Sequence, residues 1–207
     1  MVKYKDYRAI RPYFQSPVIE EFTGYNSKKQ YRLISIDDGF ELSRNDLQTI
    51  TEICNESLVY RFLFEDRLKG KAYEIHDAHK FVIWAKECWK KDISYFFFIR
   101  DQNDNVVACT DIGSSNLKEA PIGYWATMNS PGVMTNAVKC LITIARNAGY
   151  RKLYALVEPV NIKSIGVVQR SGFAYTGTKM EDLLFMDKPV GTKKLFNRYE
   201  KVLQLNI

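Results

Sequence analysis

The seven residues Asn129-Ser130-Pro131-Gly132-Val133-Met134-Thr135 join an apolar run to a helical pattern, and Asn161, Ser164, Arg170, Gly172 and Phe173 follow downstream. A glycine-bearing turn that opens a helix offers unpaired N–H groups and the positive end of the helix dipole, which together suit a phosphate. Gly132 permits close approach because it has no Cβ, and Thr135 adds a hydroxyl donor, whereas Pro131 removes one N–H. Asn161 can donate to and accept from an amide-rich ligand. Among carboxylates that could take a proton, Glu158 comes first, because it follows an apolar strand directly; Glu181, Asp182 and Asp111 are alternatives. His76 and His79 share a helix face, but no neighbouring Cys or acidic pattern completes a ligand set, so no metal is expected.

Periodicity supplies the elements that must hold these groups. Tyr31–Ile36 alternates as a strand, and the chemistry-bearing domain is expected to begin there, with residues 1–30 as an N-terminal extension whose aromatics pack on the domain. Ser43 predicts the N-cap of a helix carrying Leu47, Ile50, Ile53 and Cys54 on one side, and Asp77 predicts the cap of a second with Phe81, Trp84, Ala85, Cys88 and Trp89. Residues 94–100 and 106–112 predict a hairpin about the polar turn 101–105, and Ile122–Thr127 a central strand. Met134–Ala148 has a wide apolar helical face ended by Gly149. Lys152–Val157 then predicts a strand, Asn161–Arg170 a short helix, Phe173–Gly177 a strand, and Lys193–Leu205 a final strand or extended segment. The fold class is α/β with a mixed central sheet.

Composition bounds the function. A chain of 207 residues suits one domain, here 31–207 plus the extension, and 46% apolar with 14% aromatic residues can build a core. No apolar run is long enough to cross a bilayer, so no membrane partner is expected. Met1–Asp6 leads into charged and aromatic sequence rather than an apolar signal core, which disfavours export by that route. The widely spaced Cys54, Cys88, Cys109 and Cys140 read as free thiols in a reducing cytoplasm rather than as a disulfide framework. A net charge of +6 favours an anionic ligand, but the basic residues are dispersed and no base-reading motif is present, so nucleic acid is not expected.

The order of motifs from Pro121 to Phe173 resembles the acyl-CoA-binding half of the GNAT-type N-acetyltransferases. Aligned on Gly132, the family's Gln/Arg-x-x-Gly-x-Gly/Ala turn falls on Asn129 to Met134, with Asn129 in place of Gln or Arg and Met134 in place of the small residue. Asn161-x-x-Ser164 and Gly172-Phe173 match the downstream elements, and weaker likeness in element order extends back to Tyr31. The shape resembles the subgroup that acetylates ribosomal-protein N-termini and related small amines.

This resemblance implies a mostly antiparallel mixed sheet flanked by helices, and acetyl-CoA as co-substrate. Its holders would be Trp125, Ala126 and Thr127 on the strand, Asn129, Gly132, Val133, Met134 and Thr135 on the turn, and Asn161 and Ser164 downstream. The acceptor would be a primary amine, either a small molecule or a protein N-terminus, and the protein a monomer or homodimer. Many relatives place a tyrosine acid seven residues after the Asn; that position here is Val168, which passes the proton-donor role to Ser164. Glu158 is the first base candidate, because it follows the strand that should splay open beside the thioester, with Glu181, Asp182 and Asp111 as alternatives, and the segment Tyr60–Asp66 falls where such folds admit the acceptor. A noncatalytic acyl-CoA-binding or sensing protein of the same fold is the alternative.

Overall fold

Residues 11–186 and 188–204 are described by a computed structural model. Strand β1 (Ile19–Thr23) pairs antiparallel with β2 (Gln30–Ser35), so the segment ahead of Tyr31 contributes an edge strand to the sheet. Phe14 packs against Trp89 and Tyr95, and Phe22 stacks on Tyr31. Helix α1 (Arg44–Cys54) starts at Ser43, which forms a reciprocal capping box with Asp46. Two short helices follow, α2 (Ser57–Leu63) and α3 (Glu65–Leu68), in a segment too brief to show helical periodicity in the sequence. Helix α4 (Ile75–Lys90) begins earlier than Asp77 suggests. Glu74 is its N-cap, and Asp77 sits one turn inside, accepting from the Glu74 N–H at 3.0 Å.

The hairpin forms as β3 (Tyr95–Arg100) and β4 (Val106–Ile112). Because successive strand side chains point to opposite faces, Tyr95, Phe97 and Ile99 enter one core and Phe96 and Phe98 the other. The second core is closed by α1 and α4 through Ile50, Ile53, Val82, Ala85 and Cys88. The first is closed by α5 (Val133–Asn147), whose Ala137, Val138, Leu141 and Ala145 lie on the sheet. Cys54, Cys88 and Cys109 are buried and Cys140 is half-buried, and none of the four is in a disulfide.

Strand β5 (Ala120–Ala126) precedes α5, and β6 (Lys152–Val157), α6 (Ile162–Arg170), β7 (Ala174–Phe185) and β8 (Lys188–Val202) follow it. Both final strands are longer than the sequence pattern. A bulge between Tyr175 and Gly177, with Gly177 at φ 134°, breaks the alternation where β7 continues. Leu205, the expected end of the last strand, lies outside the described residues. The eight strands form one sheet in the order β1-β2-β3-β4-β5-β6-β8-β7, antiparallel throughout except for β5 and β6. The expected mixed, mostly antiparallel sheet flanked by helices is the one observed.

Candidate active site

The parallel pair is where the sheet opens. β5 and β6 are paired only at Ala120 with Leu153 and Pro121 with Tyr154. Beyond that point β5 stays with β4 through Ala126, and β6 stays with β8 through Val157. The two strands diverge, and each acquires an edge with no strand beside it. Two cavities, of about 520 and 340 Å³, occupy this region and share Phe62, Leu63, Tyr124, Asn161 and Ser164.

The larger cavity is lined by Trp125, Ala126, Thr127, Gly132, Val133, Met134, Thr135, Asn161 and Ser164, together with Leu58, Val59 and Arg170. Gly132 adopts φ 86° as the N-cap of α5, a left-handed geometry suited to glycine. Its missing Cβ also makes room for backbone rather than for a ligand alone. A Cβ there would meet the Tyr25 carbonyl oxygen at 2.5 Å, and the Tyr25 N–H donates to the Gly132 carbonyl at 3.1 Å. Thus the β1–β2 turn is buttoned to the start of α5. Thr135 is buried, and its hydroxyl oxygen accepts from Arg170 Nε at 3.2 Å, which holds that guanidinium beside the helix start. Asn129 is exposed, and its N–H is taken by Thr127 Oγ1 at 3.3 Å. The Thr127 hydroxyl donates to Glu56, which also accepts from the Met128 N–H at 2.7 Å. One carboxylate from the turn before α2 therefore fixes the end of β5.

The smaller cavity is acidic. Asp66, Glu158, Glu181 and Asp182 line it, with Arg67. Lys194 on β8 bridges two of these carboxylates, with Nζ 2.6 Å from Asp66 and 3.0 Å from Glu158. Partial burial opposes the charge on Lys194, but the two carboxylates outweigh it and hold its pKa above the usual lysine value. Glu158 thus stands in the cavity already engaged by a cation. Glu181 pairs with Lys179 at 2.5 Å. Asp111 is the cross-strand partner of Gly123, and its carboxylate fills the space a Cβ at Gly123 would need.

Where the cavities meet, Asn161 caps α6, its Oδ1 accepting from the Ser164 N–H at 3.1 Å. Its amide nitrogen is the group left to address a ligand. Ser164 Oγ lies 2.6 Å from the Tyr124 hydroxyl. Burial pushes the Tyr124 phenol up to about 12, so it stays protonated at neutral pH. Val168 is fully buried in the first core and lines neither of these two cavities. Tyr124 was not singled out by sequence; its alternation on β5 places it on the same side as α6, but only the fold shows that Ser164 is opposite. Glu56 and Lys194 give no signal either, because each reaches the site from an element distant in sequence, whereas Phe62 and Leu63 fall in the 60–66 segment expected to admit the acceptor. Among the described residues no group of His, Cys, Asp and Glu is placed to hold a metal.

Comparison with known proteins places this architecture. The fold is shared with Mycobacterium smegmatis RimJ in complex with CoA-disulfide, at TM-score 0.67 and 16% identity over 89% of this chain and 86% of that one. It is shared with the ribosomal-protein-S5-alanine acetyltransferase from Vibrio fischeri, at TM-score 0.59 and 17% identity over 89% and 96%. The microcin C7 self immunity acetyltransferase MccE, in complex with acetyl-CoA and AMP, gives TM-score 0.64 and 18% identity over 83% and 92%. No curated protein sequence matches. The acetyltransferase (GNAT) domain model matches residues 41–174, a span that runs from the approach to α1, through the splayed strands and α5, to the first residue of β7. On that match the chain belongs to the GNAT acetyltransferase family.

Proposed function

We propose that the protein transfers the acetyl group of acetyl-CoA directly to a primary amine, with the thioester in the larger cavity and the amine entering through the smaller one. The observation that carries this reading is the meeting of the two cavities at Tyr124, Asn161 and Ser164, between strands that part after two paired residues. The turn Asn129–Thr135 and the start of α5 would hold the pyrophosphate, with Arg170 as the nearby cation. Trp125, Ala126 and Thr127 would lie along the pantetheine arm, with Asn161 bonding one of its amides. On the acceptor side Glu158, at the end of β6, remains the proposed base, acting directly or through water. Its bridge to Lys194 makes release of that bridge part of the proposal.

A neutral amine attacks the thioester carbonyl carbon, since the protonated form, with a pKa of about 10.4 for a lysine-type amine, has no lone pair to use. Holding both reactants in the junction supplies most of the rate gain. The tetrahedral intermediate collapses, the C–S bond breaks with its electron pair on sulfur, and Ser164 gives sulfur a proton. The amine's surplus proton leaves by Glu158 or water, so the products are the N-acetyl amine and the free thiol of coenzyme A. Four carboxylates lining the smaller cavity of a chain with net charge +6 support a cationic amine as acceptor. A protein N-terminus or a small amine both meet that description, and the ribosomal-protein acetyltransferases of like fold favour the former. The reducing setting that suits four cysteines outside any disulfide is the cytoplasm.

Calorimetry with acetyl-CoA tests the cofactor half: binding is expected, and absence of binding removes the proposal. Release of free thiol from acetyl-CoA, with a panel of peptides bearing free N-terminal serine or alanine and of diamines, tests the transfer. Binding without amine-dependent release would instead support an acyl-CoA sensor, the reading favoured by Val168 standing where many relatives carry a tyrosine acid.

A further inference from the structure

We infer that Tyr124 is a positioning residue for the transfer step, directing the Ser164 hydroxyl so that its proton faces the departing sulfur. The inference rests on the reading above that Ser164 is the proton donor.

A phenol has one proton to give, and Tyr124 has two acceptors within reach. Its hydroxyl lies 2.6 Å from Ser164 Oγ and 3.1 Å from the Ser164 carbonyl oxygen. The two choices have opposite consequences. If the phenol donates to the carbonyl, the short contact requires Ser164 to donate to Tyr124, and the serine proton is turned away from any ligand. If the phenol donates to Oγ, the serine proton is released to point into the junction, where both cavities end. At 2.6 Å either oxygen can be the donor, and the second arrangement is the one that a proton-donating Ser164 requires. It also leaves a phenol O–H aimed at Oγ, where negative charge grows as the serine proton moves to sulfur, and a charge-assisted hydrogen bond is the stronger kind. Oγ regains a proton from solvent after the thiol leaves, so no further reactant is needed.

Both oxygens are carried by backbone that cannot drift. Tyr124 is in register with Thr110 on β4, and the Gly123 carbonyl beside it accepts from the Thr110 hydroxyl at 2.9 Å. Ser164 is in the first turn of α6, with its N–H held by the Asn161 cap. The phenol is half-buried between them and is kept neutral by that burial. One helical turn beyond Ser164, Val168 points into the first core and offers no hydroxyl. The hydroxyl partner of Ser164 therefore comes from the strand rather than from the helix.

The test is a double-mutant cycle on the full chain. Thiol release from acetyl-CoA is measured with a peptide bearing a free N-terminal serine for wild type, Tyr124→Phe, Ser164→Ala and the double variant, and the coenzyme A dissociation constant is measured for each by calorimetry. Tyr124→Phe removes one oxygen and is expected to lower kcat by about 10- to 100-fold. Coenzyme A affinity should stay within about twofold, a split that general loss of structure would not give. Ser164→Ala is expected to lose about 100-fold in kcat, and the double variant should lose no more than Ser164→Ala alone. Wild-type kcat in Tyr124→Phe, or losses that multiply in the double variant, would overturn the inference. Wild-type turnover in Ser164→Ala overturns the donor reading itself, and is distinguishable because it is seen before Tyr124 is changed.

Discussion

The β3–β4 seam and the β5–β6 seam belong to one sheet and do opposite work. Along β3 every residue is buried and paired, and its side chains fill two cores at once. Its last residue, Arg100, makes a two-pronged contact with Asp46, 2.7 and 3.0 Å, almost wholly out of water. At β5–β6 the pairing stops after two residues, and the space released becomes cavity. A sheet that was closed throughout would have no room for a thioester. One that was open throughout would lack the rigid strand from which Tyr124 reaches Ser164. The difference teaches that stability and chemistry are separated along the sheet, and each prediction below tries that separation.

The largest effect is expected at the closed seam. Asp46 is the partner of a buried guanidinium and also completes the cap of α1. Removing one member of a buried ion pair leaves the other uncompensated, so Asp46→Ala should cost about 3–5 kcal/mol in urea denaturation. Coenzyme A affinity per folded molecule should stay unchanged, and a matching loss of affinity would break the separation. Burial alone would raise the Asp46 pKa, but hydrogen bonds from Arg100 and Ser43 outweigh it and hold the carboxyl below its usual range. The folded-state pKa is thus depressed. The associated stability is fully present above the unfolded-state value of about 3.9 and is lost as pH falls below it towards the folded-state pKa. Wild-type denaturation midpoints should drop across that window, and a pH series on Asp46→Asn should show a flatter decline.

At the open seam the expected loss is in rate. Ser164→Ala should lower kcat about 100-fold, equivalent to about 2.7 kcal/mol, while the urea midpoint moves little. A variant that lost stability instead would place Ser164 with the structural residues.

Gly132 sits between these extremes because it belongs to both systems. Its φ of 86° costs an alanine about 1–2 kcal/mol, and the new Cβ would press on the Tyr25 carbonyl. Gly132→Ala should lower the melting temperature by several degrees and weaken acetyl-CoA binding as the turn shifts. Unchanged affinity in calorimetry would move the cofactor's phosphates away from α5.

How much of this was legible follows the same division. The closed half is written locally. Ser43 announces α1, and the aromatic run of β3 reads as a strand because it is short and ends at the polar turn 101–105. The open half is written across the chain. Gly132 and Ser164 carry recognisable types at recognisable spacing, yet their partners Tyr25 and Tyr124 come from other elements. Helices α2 and α3 were read as a loop because seven and four residues leave no room for a repeating apolar stripe. Lys194 gave no signal at all, since a single lysine on a strand is ordinarily a solvated one.

That lysine yields the smallest and sharpest prediction. Its bridge ties α3 to the end of β6, but the pair is partly wet, and such contacts contribute about 0–1 kcal/mol. Lys194→Met should therefore melt within a few degrees of wild type. Its effect should fall on the acceptor. Removing one positive charge leaves Asp66 and Glu158 without their cation in a cavity that also holds Glu181 and Asp182. An extra unit of negative potential a few ångströms from a cationic amine is worth about 1 kcal/mol near water, so KM for a diamine should fall roughly two- to fivefold. The gain should shrink as salt rises from 0.05 to about 0.5 M, because screening acts on exposed charges. KM for acetyl-CoA should not move, since Lys194 lies on the other side of the splayed strands. A rise in KM for every acceptor would show that Lys194 holds the acceptor instead of holding its place.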